Sequence, residues 1–307
     1  MDVSDLAVFA AVARAGAITG AARALNTVQS NVTQRVRALE AELGVALFHR
    51  HARGVTLTQS GRQLLPYADR VAQLIAEARR AASDGAEPRG SIVVGALESA
   101  TAVRLPPVLA AYAAACPQVD VEIGTGTSAS LIDAVRERRV DAAFVAGPID
   151  DPLLVAIPLV EEELVLVTAP GRTLDFGAPG GVPAKFIVFR AGCTYRARLE
   201  AILAGHGVLA PRRLEFGTLD GIIGCVAAGI GVTLLPRVVV AAAAAAGRVA
   251  LHRLPPDEAR VTTQLIRRAD GYMSTALARF IAIAREKLAA PRESPARRAR
   301  RVQSAAD

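Results

Sequence analysis

Residues 26 to 57, NTVQSNVTQRVRALEAELGVALFHRHARGVTL, demand a helix buried along one side and followed at once by a short hairpin. On a 100° wheel Val32, Val36, Leu39 and Leu43 share one side, the spacing of a core stripe. Ser30, Gln34 and Arg37 point the other way, with Asn31 and Thr33 flanking, and Thr27 is placed to cap the helix. A merely solvated face usually pairs Glu with Lys. This one instead carries amides, hydroxyls and a guanidinium, the side chains that read base edges in the major groove. Most lie in the first turns, the end that a helix-turn-helix inserts. The β-prone pieces ALFHR and GVTLT flank a turn at Arg53-Gly54. They form a wing from which Arg50, His51 and Arg53 can reach phosphates or the minor groove.

Two shorter helices precede this one. Ser4 is a suitable N-cap for the first, Leu6, Phe9 and Val12 make its buried stripe, and Gly16 stops it. Thr19 can cap the second, Ala21 and Ala22 permit close helix approach, and Asn26 supplies the turn.

The whole segment FAAVARAGAITGAARALNTVQSNVTQRVRALEAELGVALFHRHARGVTLTQSG closely resembles the N-terminal winged helix-turn-helix of LysR-type transcriptional regulators. The small-residue pair, the Gln-Ser helix start, ALEAELGVALF and LTQSG all stand at that family's spacing. NTVQSNVT and GALES look like its glutamate-regulator-like branch. The likeness covers nearly the whole chain. It implies sequence-specific binding of double-stranded DNA, with Thr27, Gln29, Ser30, Thr33, Gln34 and Arg37 on the reading helix and Arg50 and Arg53 on the wing.

From Thr58 to about Ser83 a long helix is expected. Leu64, Tyr67, Val71, Leu74, Ala78 and Ala81 alternate at spacings of three and four, an a/d seam. A second copy of the chain is the simplest partner for that seam; the chain's own domain is the other. Pro66 lies inside the stretch and is a candidate kink. The resemblance implies pairing through this helix, giving a homodimer or homotetramer.

SDGAEPRG, 83–90, has the composition of a linker, and strands alternate with helices beyond it. Two such series predict two α/β lobes with a cleft between them. This resembles the periplasmic-binding-protein-like effector domain of the same family. The expected division is 1–58 winged helix-turn-helix, 59–89 linker helix and hinge, 90–290 effector domain and 291–307 basic disordered tail. Within the effector domain the first lobe covers about 90–160 and 267–290, the second about 161–266. Ligands in such folds bind beyond the carboxyl ends of strands, near helix N-termini. Four junctions there are rich in hydroxyls: Ser99 and Thr101, Thr127 and Ser128, Thr194 and Tyr195, and Thr218. Arg190 precedes the third, and Cys193 sits in the same loop. Orphan N–H groups with one guanidinium suit a carboxylate effector. Glu98 would repel an anion but could receive an ammonium, so a small zwitterion is the alternative.

Other classes fit less well. The net charge of +7 suits nucleic acid, although much of the excess lies in the tail PRESPARRARR. No apolar run is long enough for a membrane span, and MDVSDLAVF lacks a basic leader, so the cytoplasm is the default. Cys116, Cys193 and Cys225 are too scattered for a disulfide framework or a metal site. No cofactor is expected. Gly124 to Ala129, GTGTSA, matches a loose G-x-G-x-x-A, but the available acid, Asp141, begins the next strand instead of ending it. An enzyme is therefore not expected, nor is a plain solute-binding protein, which would leave residues 1–60 unexplained. Thiol-redox control through Cys193 stays open as an alternative on the same fold.

Overall fold

The computed structural model describes residues 1–52, 54–174, 185–208 and 212–288, in two compact units, Met1–Ser83 and Asp84–Asp307. Arg53 and the tail lie outside the described residues.

The first unit is α1 (Val3–Ala15), α2 (Ile18–Ala24), α3 (Gln29–Leu43), an antiparallel hairpin of β1 (Phe48–His51) and β2 (Gly54–Leu57), and α4 (Gln59–Ser83). Phe9, Val12, Ala21, Val32, Val36 and Leu39 meet in one core, with Phe9 and Phe48 ring centroids 5.3 Å apart. Leu43 departs from the expected stripe and is 37% exposed. The helix ends there at left-handed Gly44, and Leu47 beyond it is buried instead.

The expected caps move as well. Asp2, not Ser4, caps α1, because Asp2 and Asp5 form a reciprocal capping box. Ala17 precedes α2, which leaves Thr19 inside the helix. Val28 precedes α3, and the Thr27 hydroxyl accepts from the Asn31 amide at 3.0 Å instead of capping. The TQSG motif has a steric reason. A Cβ on Gly61 would stand 2.2 Å from the Leu47 carbonyl, where α4 presses on the chain leading into the wing. Gly61→Ala is therefore expected to destabilise this unit by about 1–3 kcal/mol, as overpacking does. Chemical denaturation of the variant checks this; an unchanged midpoint would refute the close approach.

The linker seam divides. Leu64 and Val71 pack with buried Ala68 against the unit's own core, whereas Tyr67 is 63% and Leu74 47% exposed. The helix runs through Pro66 without interruption.

The second unit follows the order β3 (Gly90–Leu97), α5 (Glu98–Val103), α6 (Leu105–Ala115), β4 (Val119–Gly126), α7 (Ser128–Arg136), β5 (Ala142–Ala146) and β6 (Leu154–Thr168). Then come β7 (Lys185–Phe189), α8 (Thr194–Gly205), β8 (Arg212–Phe216), α9 (Leu219–Ala227), β9 (Thr233–Pro236), α10 (Arg237–Ala245) and β10 (Ala250–Arg253). Finally α11 (Pro256–Ala259), β11 (Arg260–Arg268) and α12 (Thr275–Leu288) return to the first lobe.

Strand β6 joins the lobes. Its first part pairs with β11, and its last residues pair with β9 and β10. In the first lobe β4, β3 and β5 run parallel, and β11 closes antiparallel on β5. That pairing begins at Thr263, so the chain has returned to the first lobe before position 267. Period-two alternation makes the second lobe's sheet two-sided. Leu164, Leu166, Phe186 and Val188 join α8, while Val165, Val167 and Ile187 join α9 and α10. The helical stretch after β3 is broken at Arg104, because Pro106 and Pro107 have no N–H to continue it and instead open α6. Among the described residues no single helix is long and apolar enough to cross a membrane.

Asp84, the first residue after α4, clamps the start of α12. It accepts from Thr275 N at 2.8 Å, Thr275 Oγ1 at 2.6 Å and the Tyr272 hydroxyl at 2.9 Å. These bonds, led by the Thr275 hydroxyl, hold its carboxyl below the ordinary aspartate value. The stabilisation is complete above the unfolded value of about 3.9 and disappears as pH falls through the lower folded value. Asp84→Ala is expected to cost about 1 kcal/mol at neutral pH, as lost caps do, and to narrow the acid limb of the stability profile. Thermal melts of both proteins from pH 7 to 3 test this; parallel profiles would count against the clamp.

Candidate DNA-reading face and effector cleft

The exposed side of α3 brings Gln29, Ser30, Thr33, Gln34 and Arg37 around one shallow hollow of about 550 Å³. The chain folds this way because the opposite stripe is anchored in the core and because Arg35 ties α3 to α1 through Asp5 at 3.0 Å. Gln29, Ser30, Gln34 and Arg37 are all exposed. Thr33 is half-buried and donates its hydroxyl to the Gln29 carbonyl at 2.9 Å, so it keeps acceptor capacity and a methyl group. Thr27 is engaged with Asn31. From α3, Glu40 holds the start of the wing: it accepts from Leu47 N at 2.8 Å and Phe48 N at 3.2 Å, and it meets Arg50 at 3.3 Å. Arg50 is thus partly neutralised, which sequence spacing did not reveal.

In the second unit, a cleft of about 560 Å³ lies at the ends of β3, β4, β7 and β8. Of the expected residues it is lined by Thr127, Arg190 and Thr218, together with Glu98. Thr127 and Thr218 are the N-caps of α7 and α9 and accept from Ser130 N and Gly221 N. Beside the cleft a recess of about 30 Å³ is lined by Ser99, Cys193 and Tyr195, and Ser99 Oγ lies 3.2 Å from the Tyr195 hydroxyl. Burial pushes the Tyr195 phenol above its ordinary value, keeping it neutral.

Three expected residues stand elsewhere. Thr101 donates to the Glu98 carbonyl at 2.7 Å and lines neither space. Thr194 Oγ1 donates to the Ala146 carbonyl at 2.8 Å and shares a hydrogen bond with Ser128 Oγ, also at 2.8 Å, so Thr194 and Ser128 fasten the lobes together. Beside them Ala129 N donates to the Gly192 carbonyl at 3.1 Å. A Cβ on Gly192, whose φ is +87°, would stand 2.9 Å from Thr127 Oγ1. Thr125, Ser130, Phe189 and Phe216 line the cleft but were not anticipated. Phe189 and Phe216 each end a strand, one residue before Arg190 and two before Thr218, and the strand ends themselves are the available signal.

Burial pushes the Cys193 thiol up, opposed by the Arg196 and Tyr195 backbone N–H groups. Redox-sensing thiols have the opposite character, exposed and acidic. The G-x-G-x-x-A segment is likewise engaged in local structure. Thr127 caps α7, and the Asp141 carboxylate accepts from Val93 N at 2.8 Å. Among the described residues no group of three or more metal-ligating side chains is gathered.

Residues 3–62 match the family described as "Bacterial regulatory helix-turn-helix protein, lysR family", and residues 85–289 match "LysR substrate binding domain". The chain is 40% identical to the HTH-type transcriptional regulator GltR of Bacillus subtilis (strain 168), over 92% of this chain and 95% of that one. It is 43% identical to the protein named "Uncharacterized HTH-type transcriptional regulator YusT" from the same organism, over 92% and 94%. Its fold is similar to that of full-length CbnR complexed with its target DNA, with a TM-score of 0.66, 24% identity and coverage of 94% and 100%.

Proposed function

Because the chain belongs to the LysR family of transcriptional regulators, we propose that it reads an operator through α3 as a homodimer or homotetramer in the cytoplasm, under control of a small zwitterion held in the cleft. That it is a regulator with a helix-turn-helix DNA-binding domain and an effector domain follows from the family. One observation supports the effector class. Glu98 and Arg190 line one cleft with opposite charges, and neither has an ion-pair partner among the described residues. The guanidinium suits a carboxylate, aided by the α7 and α9 N-termini. Glu98 suits an ammonium, and Phe189 and Phe216 offer apolar walls.

Arg190→Ala is expected to weaken effector binding about 10- to 100-fold, the worth of a charge-assisted contact, while operator affinity stays near wild type. Calorimetry with a panel of amino acids tests this. Unchanged affinity in the variant would remove Arg190 from the site. The effector must also bind the two regulatory states unequally, since equal affinity shifts nothing.

On the DNA side, Gln34→Ala is expected to cost roughly 1–3 kcal/mol at its own base pair and little on random DNA. Arg37→Ala, farther along α3, is expected to weaken all sequences and reduce the salt slope by about one unit, as loss of a phosphate contact does. Titrations against operator, single-base variants and random DNA at two salt concentrations separate the two roles. Uniform weakening by Gln34→Ala would mean that this face holds the duplex without reading it.

A further inference from the structure

A second cavity, of about 330 Å³, opens farther along the same sheet, beyond the carboxyl end of β5 and against β6 and β11. It falls within the size range of small-molecule sites. Its walls include Pro148 and Pro158, and Thr194, Thr262 and buried Gln264 supply polar groups. Arg198 and Arg260 both line it. Their situations differ. Arg260 is exposed and meets Glu161 at 2.9 Å. Arg198, on α8, is half-buried, and it donates to the backbone carbonyls of Glu258, at 3.0 Å, and Asp257. No carboxylate lies within ion-pair distance of Arg198 among the described residues.

Two backbone carbonyls fix that guanidinium in place without neutralising it. A held, uncompensated, half-buried cation beside a ligand-sized space is the arrangement that recognises an anion in the bidentate manner of arginine. Gln264 adds rigidity, since its amide nitrogen donates to the Gly147 carbonyl and Gly147 N donates to the Thr262 carbonyl at 3.0 Å.

We infer that this cavity is a second effector site, for a small anion carrying a carboxylate or phosphate group, with Arg198 as its principal ligand. It is separate from the Glu98–Arg190 cleft. Thr194 lines it and also fastens the lobes through Ser128 and Ala146. An anion bound there is therefore placed to bias the lobe junction, and any coupling to the cleft must be reciprocal.

Succinate and inorganic phosphate serve as probes, titrated separately into the full-length protein at constant ionic strength. At least one is expected to bind, and which one does assigns the anion to organic acids or to phosphate esters. Arg198→Gln should weaken that probe about 10- to 100-fold, whereas Arg190→Ala should leave it unchanged. Arg198 also holds α11, so Thr262→Trp provides the independent variant. It occludes the cavity, leaves the Arg198 hydrogen bonds in place, and should abolish probe binding without lowering the Tm. The inference is overturned if neither probe binds, if Arg190→Ala removes the binding, or if a folded Thr262→Trp or Arg198→Gln protein binds the probe as wild type does.

Discussion

Glu162→Ala is expected to destabilise the effector domain by about 3 kcal/mol, the lower end of the range for breaking a buried ion pair. Glu162 receives Arg104 through two parallel bonds, Nε to Oε1 at 2.8 Å and Nη2 to Oε2 at 2.6 Å. The Glu162 side chain is only 6% exposed and that of Arg104 24%. Removing the carboxylate leaves a guanidinium largely out of water, though its partial exposure lets solvent recover some of the loss. For a domain of this size the melting temperature should fall by roughly 6–12 °C. Replacing both partners, with Arg104→Met and Glu162→Leu, should restore much of it, because the cost lies in the unpaired charge. Calorimetry of the two variants decides the matter. A fall of less than about 2 °C in the single variant would show that Arg104 relaxes fully into solvent. The pair also has a functional position. Arg104 closes α5, whose first residue is Glu98 of the cleft, and Glu162 lies on the strand that joins the lobes. A loosened pair should therefore weaken effector binding even though neither residue lines the cleft.

Which parts were legible in the sequence follows from the range of each interaction. Local periodicity found the α3 stripe, and with it the face holding Gln29, Ser30, Thr33, Gln34 and Arg37. It also found most strands and helices of the effector domain, because α/β alternation repeats at short range. Caps were less secure. Asp2, Ser4 and Asp5 can each cap the same first turn, and the reciprocal pair of Asp2 and Asp5 prevails by satisfying two backbone donors together. The break at Arg104 was signalled by Pro106 and Pro107. The first half of β6 carries no strand-like pattern, since it holds Pro158 and leads into the run Glu161, Glu162, Glu163. Those acids are tolerated in a strand because each faces an arginine from a distant element: Arg260, Arg104 and Arg237.

The strand-end rule singles out Thr127, Arg190 and Thr218, and the fold brings these three beside one space. It could not separate hydroxyls that face this space from those taken up elsewhere. Ser128 and Thr194 bond each other across 66 positions of sequence, a pairing no local pattern encodes. Thr101 fails for the opposite reason, since its hydroxyl returns to a carbonyl three residues back.

A seam read at three-and-four spacing contains residues with two different partners. Leu64 and Val71 serve the winged domain's own core, while Tyr67 and Leu74 stand outside it and are largely exposed. Val71→Glu would therefore damage the domain itself and say little about assembly. Tyr67→Glu with Leu74→Glu charges only the exposed stripe, which also carries Ala78. If two copies pair along that stripe, the double variant should be monomeric, with the winged domain's melting temperature unchanged. Each reading head would then bind its half-site alone, without the effective concentration that linkage supplies, so operator affinity should fall about 10²- to 10⁴-fold. Binding to a single half-site should stay near wild type, because the α3 face is untouched. Sedimentation velocity and operator titration measure the two consequences separately. A double variant that remains dimeric and binds the operator normally would place the dimer contact elsewhere. A monomer that keeps full operator affinity would instead show that one head suffices, and that the symmetry expected of the operator is not used.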